Sequence, residues 1–417
     1  MNETNWAGNV AYRTSRIHHP ESIEELQRIV AASEHVRALG TRHAFSDVSD
    51  TSGDLVVLDR IDPDIRVSAD RTTVEVGSGT RYGLLAEALQ AEGLALHNMA
   101  SLPHLAIGGA VATASHGSGD RSGSLTSAVA AIEIVDADGG LRRVERGEPD
   151  FHGVVVSLGA LGVATRITLD VEPTYDVAQE VHTDLPWEAA IAHFDEVFAS
   201  ADSVSMFTTW RPDAVDQVWR KTRLAPGAGY QRRGELFGAP SSDTKLHPIR
   251  GVDPVHCTEQ LGEPGPWHER LPHFKADHTP SAGAELQSEY LVPRERAVEA
   301  VEILRALSPM FAELVQVSEF RTIAADEHWL SSAYERDTVG LHFTWFPRSV
   351  QVRGAAVAIE DALAPLGARP HWGKVFVDQG GRVAELYPRI EDFRELREQW
   401  DPQGKFRNTF VYRHLVH

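Results

Sequence analysis

Residues 98–123 read NMASLPHLAIGGAVATASHGSGDRSG, and no other stretch constrains the fold so sharply. It is rich in glycine and other small residues. Gly108, Gly109, Gly117 and Gly119 let the backbone approach another group closely and aim several N–H groups at one place, the arrangement that phosphate oxygens require. The segment is not a Walker loop, because no Lys-Ser/Thr pair follows the glycines. The G-x-G-x-x-G spacing of a dinucleotide-binding crossover is absent as well. Glycine content alone fits a packed connection equally well.

Around this segment the chain alternates short strands and helices. PESIEELQRIVAAS has Ser22 and Glu25 at capping-box spacing, with Ile23, Leu26, Ile29 and Val30 on one apolar face, and predicts a helix. HVRAL, DLVVLDRI, IRVSA and TTVEVGSG predict strands. RYGLLAEALQAEG predicts a helix that stops at Gly93. AVAAIEIVDADGGLRRVER predicts a hairpin through Asp138-Gly139, and GVATRITLDVEP another strand. Beyond Pro173, PWEAAIAHFDEVFAS predicts one helix, and SVSMFTTW and DQVWRKTRL predict half-exposed strands. A loop is expected from about 225 to 284. ELQSEYLV and LHFTWF then predict strands, each followed by a helix. Without a βαβ rhythm the fold class is α+β, and a length of 417 residues suggests two or three domains.

Composition excludes several functions. A net charge of −20 disfavours nucleic acid, whose phosphates need Lys/Arg. No apolar run is long enough for a membrane span, and the first residues lack a signal-peptide pattern. One cysteine, Cys257, rules out an internal disulfide and fits a reducing cytosol. With 20 histidines but no H-E-x-x-H and no Cys/His pair spacing, no metal site is expected.

Chemistry-bearing residues gather in four places. VRALGTRHAFSD puts His43 on a turn, where an isolated ring also suits a structural role. In LVQVSEFRT, Glu319 and Arg321 share a strand face. In GLHFTWF, His342 and Thr344 share one face and Leu341, Phe343 and Trp345 the other. A solvated sheet face would give the same alternation. RPHWGKVF sets Lys374 in an apolar frame, where it either snorkels or is held desolvated.

LGTRHAF, NMASLPHLAIGGAVATASHGSG, SLGALGVATRITLDVEP, SEFRTIAADEHWL, HFTW and RPHWGKVF, with NWAGN near the start and DPQGKFRNTF near the end, resemble the alditol oxidases, flavoproteins of the vanillyl-alcohol oxidase and p-cresol methylhydroxylase type. The resemblance runs over nearly the whole chain. It implies an FAD-binding domain over 1–175, a substrate (cap) domain over 176–375 with a mixed sheet and flanking helices, and a return to the FAD domain over 376–417. It implies FAD attached covalently through His43. Gly40, Thr41, Arg42, Ala44, Phe45 and Ser46 match the first FAD loop, and Ser101, Ala106, Gly109, Thr113, His116, Gly117, Ser118 and Val163 match the rest. Where relatives often carry Gly and Ser around the attachment histidine, this chain has Arg42 and Ala44.

Ser101, Glu319, Arg321, Thr344 and Lys374 match polyol-binding residues, and His342 and His371 match residues beside the flavin. The implied reaction is oxidation of a terminal alditol hydroxyl, with O2 reduced to H2O2. Lys374 and Arg321 would stabilise the alkoxide and His342 would accept the proton. The alternatives are a sugar-1,4-lactone oxidase or dehydrogenase and a redox-silent sugar-binding flavoprotein. A cytoplasmic monomer acting on a small polyol, without nucleic-acid or membrane partners, is expected.

Overall fold

A computed structural model describes residues 3–277, 284–378 and 381–416; residues 278–283 of the expected long loop lie outside that range. The N-terminal half begins with β1 (Ile17–His18), α1 (Ile23–Ala32), β2 (Val36–Ala38) and β3 (Asp54–Val56). α1 starts as its sequence dictates: Ser22 Oγ accepts from the Glu25 N–H at 3.2 Å, while the Glu25 carboxylate accepts from the Glu21 N–H at 2.8 Å. Its Leu26 and Val30 are fully buried. β1, β3 and β2 form a small parallel sheet.

β4 (Arg66–Val67), β5 (Thr73–Gly77), α2 (Tyr82–Ala91), α3 (Ile107–Ala112), β6 (Val129–Val135), β7 (Leu141–Glu145) and β8 (Val163–Asp170) follow. The strands among them make an antiparallel sheet ordered β4-β5-β8-β6-β7. The β6–β7 hairpin turns at Asp-Gly as expected. Asp136 Oδ1 gathers the N–H groups of Asp138 and Gly140 at 3.0 and 2.8 Å.

The second half is built on one long sheet. Its strands are β9 (Asp176–Pro186), β10 (Ser203–Thr208), β11 (Ala214–Leu224), β12 (Gly265–Pro266), β13 (Leu286–Pro293), β14 (Val315–Ile323), β15 (Thr338–Trp345) and β16 (Arg369–Pro370), in the order β12-β9-β11-β10-β14-β15-β13-β16. Every described pairing in it is antiparallel, which corrects the expected mixed sheet. β9 and β10 run parallel to each other, as do β13 and β14, but each pair is separated by a strand, β11 or β15, that runs antiparallel to both, so no two hydrogen-bonded neighbours are parallel.

One face of this sheet is apolar. Phe320, Leu341, Phe343, Trp345 and Tyr290 pack there with Val301, Leu304, Val352 and Ile359 of α6 (Ala297–Leu307) and α7 (Ser349–Leu363). The other face carries the polar residues and is roofed by the 246–274 segment, whose Leu246, Ile249 and Phe274 pack on Trp219 and Phe207. Coverage on both sides explains why β10 is buried along its length, against the half-exposed strand expected. The single helix expected over 186–200 is two short ones, Trp187–Ala192 and Phe194–Phe198, separated at His193 (φ −118°, ψ 30°); the break lets Phe194, Val197 and Phe198 all reach the core. Near the C-terminus, the Arg37 guanidinium donates to the carbonyls of Phe406 and Gly159, both at 2.8 Å, and Lys405 Nζ to that of Val30 at 2.8 Å. These bonds tie the end of the chain to its beginning.

Candidate active site

Between the two halves lies a cavity of about 850 Å3. Two backbone strips form its N-terminal side. In the first, Leu39 to Ser46, Arg42 holds φ +64°. This left-handed conformation costs a side-chain-bearing residue about 1–2 kcal/mol, and the fold holds it from outside. The Arg42 carbonyl accepts from the Trp6 N–H at 2.9 Å, and its guanidinium pairs with Glu3. Asn5 and Asn9 amides donate to the carbonyls of Ala44 and Phe45, each at 2.8 Å. On the other side the Phe45 N–H donates to Gly373 at 2.7 Å, and Ser46 Oγ to Trp372 at 2.7 Å.

His43 therefore sits on a braced turn, its ring stacked on Trp6 with centroids 5.2 Å apart. Nδ1 lies 3.0 Å from the Thr41 carbonyl, and Nε2 is buried with no partner among the described residues. Burial, reinforced by nearby His104, pushes the imidazole down to about 4, so the ring is neutral at physiological pH.

The second strip runs from Ala100 through α3 to His116. Gly109 faces the cavity with open space where a Cβ would stand. Ala106 abuts the first strip, its N–H 3.4 Å from Thr41 Oγ1. Thr113 Oγ1 donates to the Gly109 carbonyl at 2.9 Å. Gly40, Thr41, Arg42, His43, Ala44, Phe45, Ser46, Ser101, Ala106, Gly109, Thr113 and His116 all line the cavity.

Gly117, Ser118 and Val163 do not. A Cβ on Gly117 would stand 2.4 Å from Asn98 Oδ1 and 2.5 Å from the Met99 carbonyl. Ser118 Oγ donates to the Val204 carbonyl on β10, and the Gly119 N–H to the Thr322 carbonyl on β14 at 2.8 Å. That end of the glycine-rich segment stitches the two halves together. Val163 is fully buried in the core beside α1, although its neighbours Gly162 and Ala164 reach the cavity.

The opposite wall is the polar face of the long sheet. Strand register sets Glu289, His342 and Glu319 side by side on β13, β15 and β14. The Arg321 guanidinium donates to Glu289 Oε1 at 2.7 Å and lies 3.6 Å from Glu319 Oε2. Burial alone would raise both carboxyls; Arg321 and the flanking histidines outweigh it and hold each well below the usual carboxylate range. His342 Nδ1 is 3.3 Å from Glu289 Oε2, and Nε2 is 3.2 Å from Thr344 Oγ1. A carboxylate accepts only, so the proton sits on Nδ1 and the Nε2 lone pair points toward Thr344 and the cavity. Burial and Lys374 push His342 down to about 4.

Lys374 Nζ donates to Gln287 Oε1 and lies 5.5 Å from the centre of the Phe45 ring; burial brings it down to about 8. Ser101 Oγ is 3.5 Å from Arg321 Nη1. His371, His116 and Glu289 offer ligand atoms within 4.8 Å of one another, but the Arg321 cation already occupies Glu289, and a metal ion would have to displace it.

Glu319, Arg321, His342, Thr344, His371 and Lys374 thus converge on one cavity. Sequence reasoning missed Glu289 and Gln287. Their signal was present: in LQSEY they alternate with Ser288 and Tyr290, so an amide and a carboxylate share the face opposite an aromatic ring. It also missed His273, which reaches the cavity from the roof loop, and Lys221 behind it on a distant strand, with no local pattern to announce either.

Comparison with known proteins is consistent with this arrangement. A family described as "FAD binding domain" matches residues 14–145, and one described as "D-arabinono-1,4-lactone oxidase" matches residues 284–414. The chain is 45% identical over 411 residues to an alditol oxidase from Streptomyces sp., covering 98% of this chain and 97% of the relative. It is 27% identical over 438 residues to an L-gulono-1,4-lactone dehydrogenase from Mycobacterium tuberculosis, covering 99% and 98%. Among solved structures, a cholesterol oxidase from B. sterolicum superposes with a TM-score of 0.75 at 16% identity over 99% of this chain and 96% of that one. A solvent-stable cholesterol oxidase reaches 0.78 at 17% identity over 98% and 96%. These structural neighbours show that the chain shares their fold.

FAD fits the residues present. The N–H groups of Thr41, Arg42, His43 and Ala44 have no protein acceptor among the described residues. With Arg42 in the left-handed region they form an anion-receptive concavity. The open face of Gly109 gives a ligand room to lie against the backbone, and His43, whose Nε2 has no partner among the described residues, lines the same cavity.

Proposed function

The chain belongs to the alditol oxidase family of FAD-dependent oxidoreductases, and from that premise we propose that it oxidises the terminal hydroxyl of an alditol such as xylitol or sorbitol to the aldose, with O2 as electron acceptor. The observation that carries this reading is the buried polar wall: carboxylate, guanidinium, ammonium, imidazole and hydroxyl along one side of the cavity. A polyol has a hydroxyl on every carbon, and each must find a partner when buried. Glu319 accepts from a chain hydroxyl, Ser101 and Thr344 exchange hydrogen bonds with others, and Arg321 and Lys374 donate to the reacting oxygen.

As C1–H is lost, the substrate oxygen gains negative charge, which the Lys374 ammonium and the Arg321 guanidinium stabilise. The His342 Nε2 lone pair takes the hydroxyl proton, its Nδ1–H being anchored on Glu289. When bound, FAD supplies the hydride acceptor and the route by which the electron pair reaches O2, released as H2O2. His43 is the residue we assign to covalent attachment. Its imidazole is neutral, hence nucleophilic, and the braced turn fixes where it points. Gly117, Ser118 and Val163 lie behind the wall and support it rather than contact the cavity.

No described helix is long and apolar enough to cross a membrane. Cys257 is buried and unpaired, which fits the reducing cytoplasm we assign, with the chain acting as a monomer. A peroxide-coupled assay tests the activity. Xylitol or sorbitol is expected to give a kcat/KM at least about 100-fold above that of L-gulono-1,4-lactone, because a closed ring cannot pair the extended row of polar groups. A preference for the lactone would overturn the reading.

A further inference from the structure

A buried chain of polar groups leads away from the wall behind Glu319. Lys221, on β11, is 2% exposed and approaches three acceptors: the Leu271 carbonyl, the Pro272 carbonyl at 3.3 Å and His273 Nδ1 at 3.0 Å. These match the three N–H bonds of an ammonium group. His273 Nε2 in turn lies 2.9 Å from Glu319 Oε1. The His273 ring is enclosed by Phe207 and Trp219, with centroids 5.6 and 5.3 Å away. The Glu319 carboxylate only accepts, so His273 Nε2 must carry the proton and Nδ1 is the bare nitrogen that accepts from Lys221. The opposite tautomer would set a lone pair against the Glu319 carboxylate in a buried site.

We propose that Lys221 and His273 are positioning residues that fix which oxygen of Glu319 reads the substrate. With Oε1 occupied by His273, Oε2 is left as the acceptor for one chain hydroxyl beyond the reacting carbon, and the enzyme thereby distinguishes a polyol from a simpler alcohol. The proposal rests on the alditol reading. The relay's own contribution is to substrate recognition, since neither residue contacts Lys374 or His342. The segment that brings His273 in is held in place as well: the His273 N–H donates to the Ser101 carbonyl at 3.1 Å and Thr258 Oγ1 to the Pro272 carbonyl at 2.8 Å.

The test compares xylitol with a terminal diol, 1,2-butanediol, which lacks the further hydroxyls, on wild-type holoenzyme and on His273→Leu, His273→Gln and Lys221→Met. His273→Leu and Lys221→Met are each expected to raise KM for xylitol about tenfold, the loss of one hydrogen bond to a charged group, while kcat and the diol KM change less than about threefold. His273→Gln, whose amide N–H reaches toward the same carboxylate oxygen, is expected to recover most of the loss. Equal losses for xylitol and the diol, or no change in KM, would overturn the proposal.

If the Leu and Met variants fail to fold, 15N NMR of the histidine ring in wild-type holoenzyme decides, with His273→Gln identifying the signal. A bare Nδ1 and protonated Nε2 are expected, and the reverse tautomer would overturn the relay. A wild type that oxidises no alditol overturns the substrate reading and is recognised by that result alone, since the tautomer is read without substrate.

Discussion

In the proposed mechanism Lys374 is the cationic donor and His342 the base, and burial drives both toward their neutral forms. Lys374 at about 8 remains cationic at neutral pH, and His342 at about 4 remains a neutral base. The free-enzyme kcat/KM is therefore expected to fall above about pH 8, as the ammonium loses its proton, and again toward pH 4, as the imidazole gains one. Lys374→Arg, which keeps its charge, should carry the alkaline limb upward; an alkaline limb that stays in place would remove Lys374 from the chemistry. Lys374→Ala should slow anaerobic flavin reduction by about 100-fold or more, as expected for the loss of a donor to a developing oxyanion, with the visible spectrum of the bound flavin intact. For His43 the measurement is acid precipitation: yellow colour is expected in the protein pellet of the wild type and in the supernatant of His43→Ala. Wild-type colour in the supernatant would end the covalent assignment.

At the scale of elements, alternation was the readable signal. Phe343 and Trp345 face α6 and α7 while His342 and Thr344 face the cavity, as the two-residue period of a strand demands. Glu319 and Arg321 follow the same rule one strand away. Phe320 lies between them, fully buried against Trp210 at 5.6 Å. Phe320→Ala should cost about 3–5 kcal/mol of stability, read as a lowered melting temperature of the holoenzyme; an unchanged melting temperature would mean that this face is not a packed core. Ser22 as an N-cap and Gly93 after α2 were equally legible, because caps and stops are local. The break at His193 was not, since either a continuous or a divided helix satisfies the local pattern and tertiary burial of the phenylalanines decides. Nor was the antiparallel order of the long sheet, which depends on pairings such as Phe207 with Glu319 that are far apart in sequence.

At the scale of the whole molecule, the glycine-rich segment serves both halves. Its first part lines the cavity; its second part, Gly117 to Gly119, bonds to β10 and β14. The sequence showed that backbone was to approach something closely there, but not that the partner at Gly117 is the protein's own Asn98 and Met99. A Gly117→Ala Cβ would strike both, so this variant should lose stability and retain less FAD. Full FAD content at an unchanged melting temperature would refute that role.

In the proposed function a bound flavin and the polar wall act together on a polyol. The most direct measurement is anaerobic mixing of the purified holoenzyme with xylitol, followed by admission of air. The account predicts rapid loss of the oxidised-flavin absorbance on mixing, then its return with one H2O2 formed per flavin reoxidised. A flavin that remains oxidised in the presence of xylitol and sorbitol would contradict it.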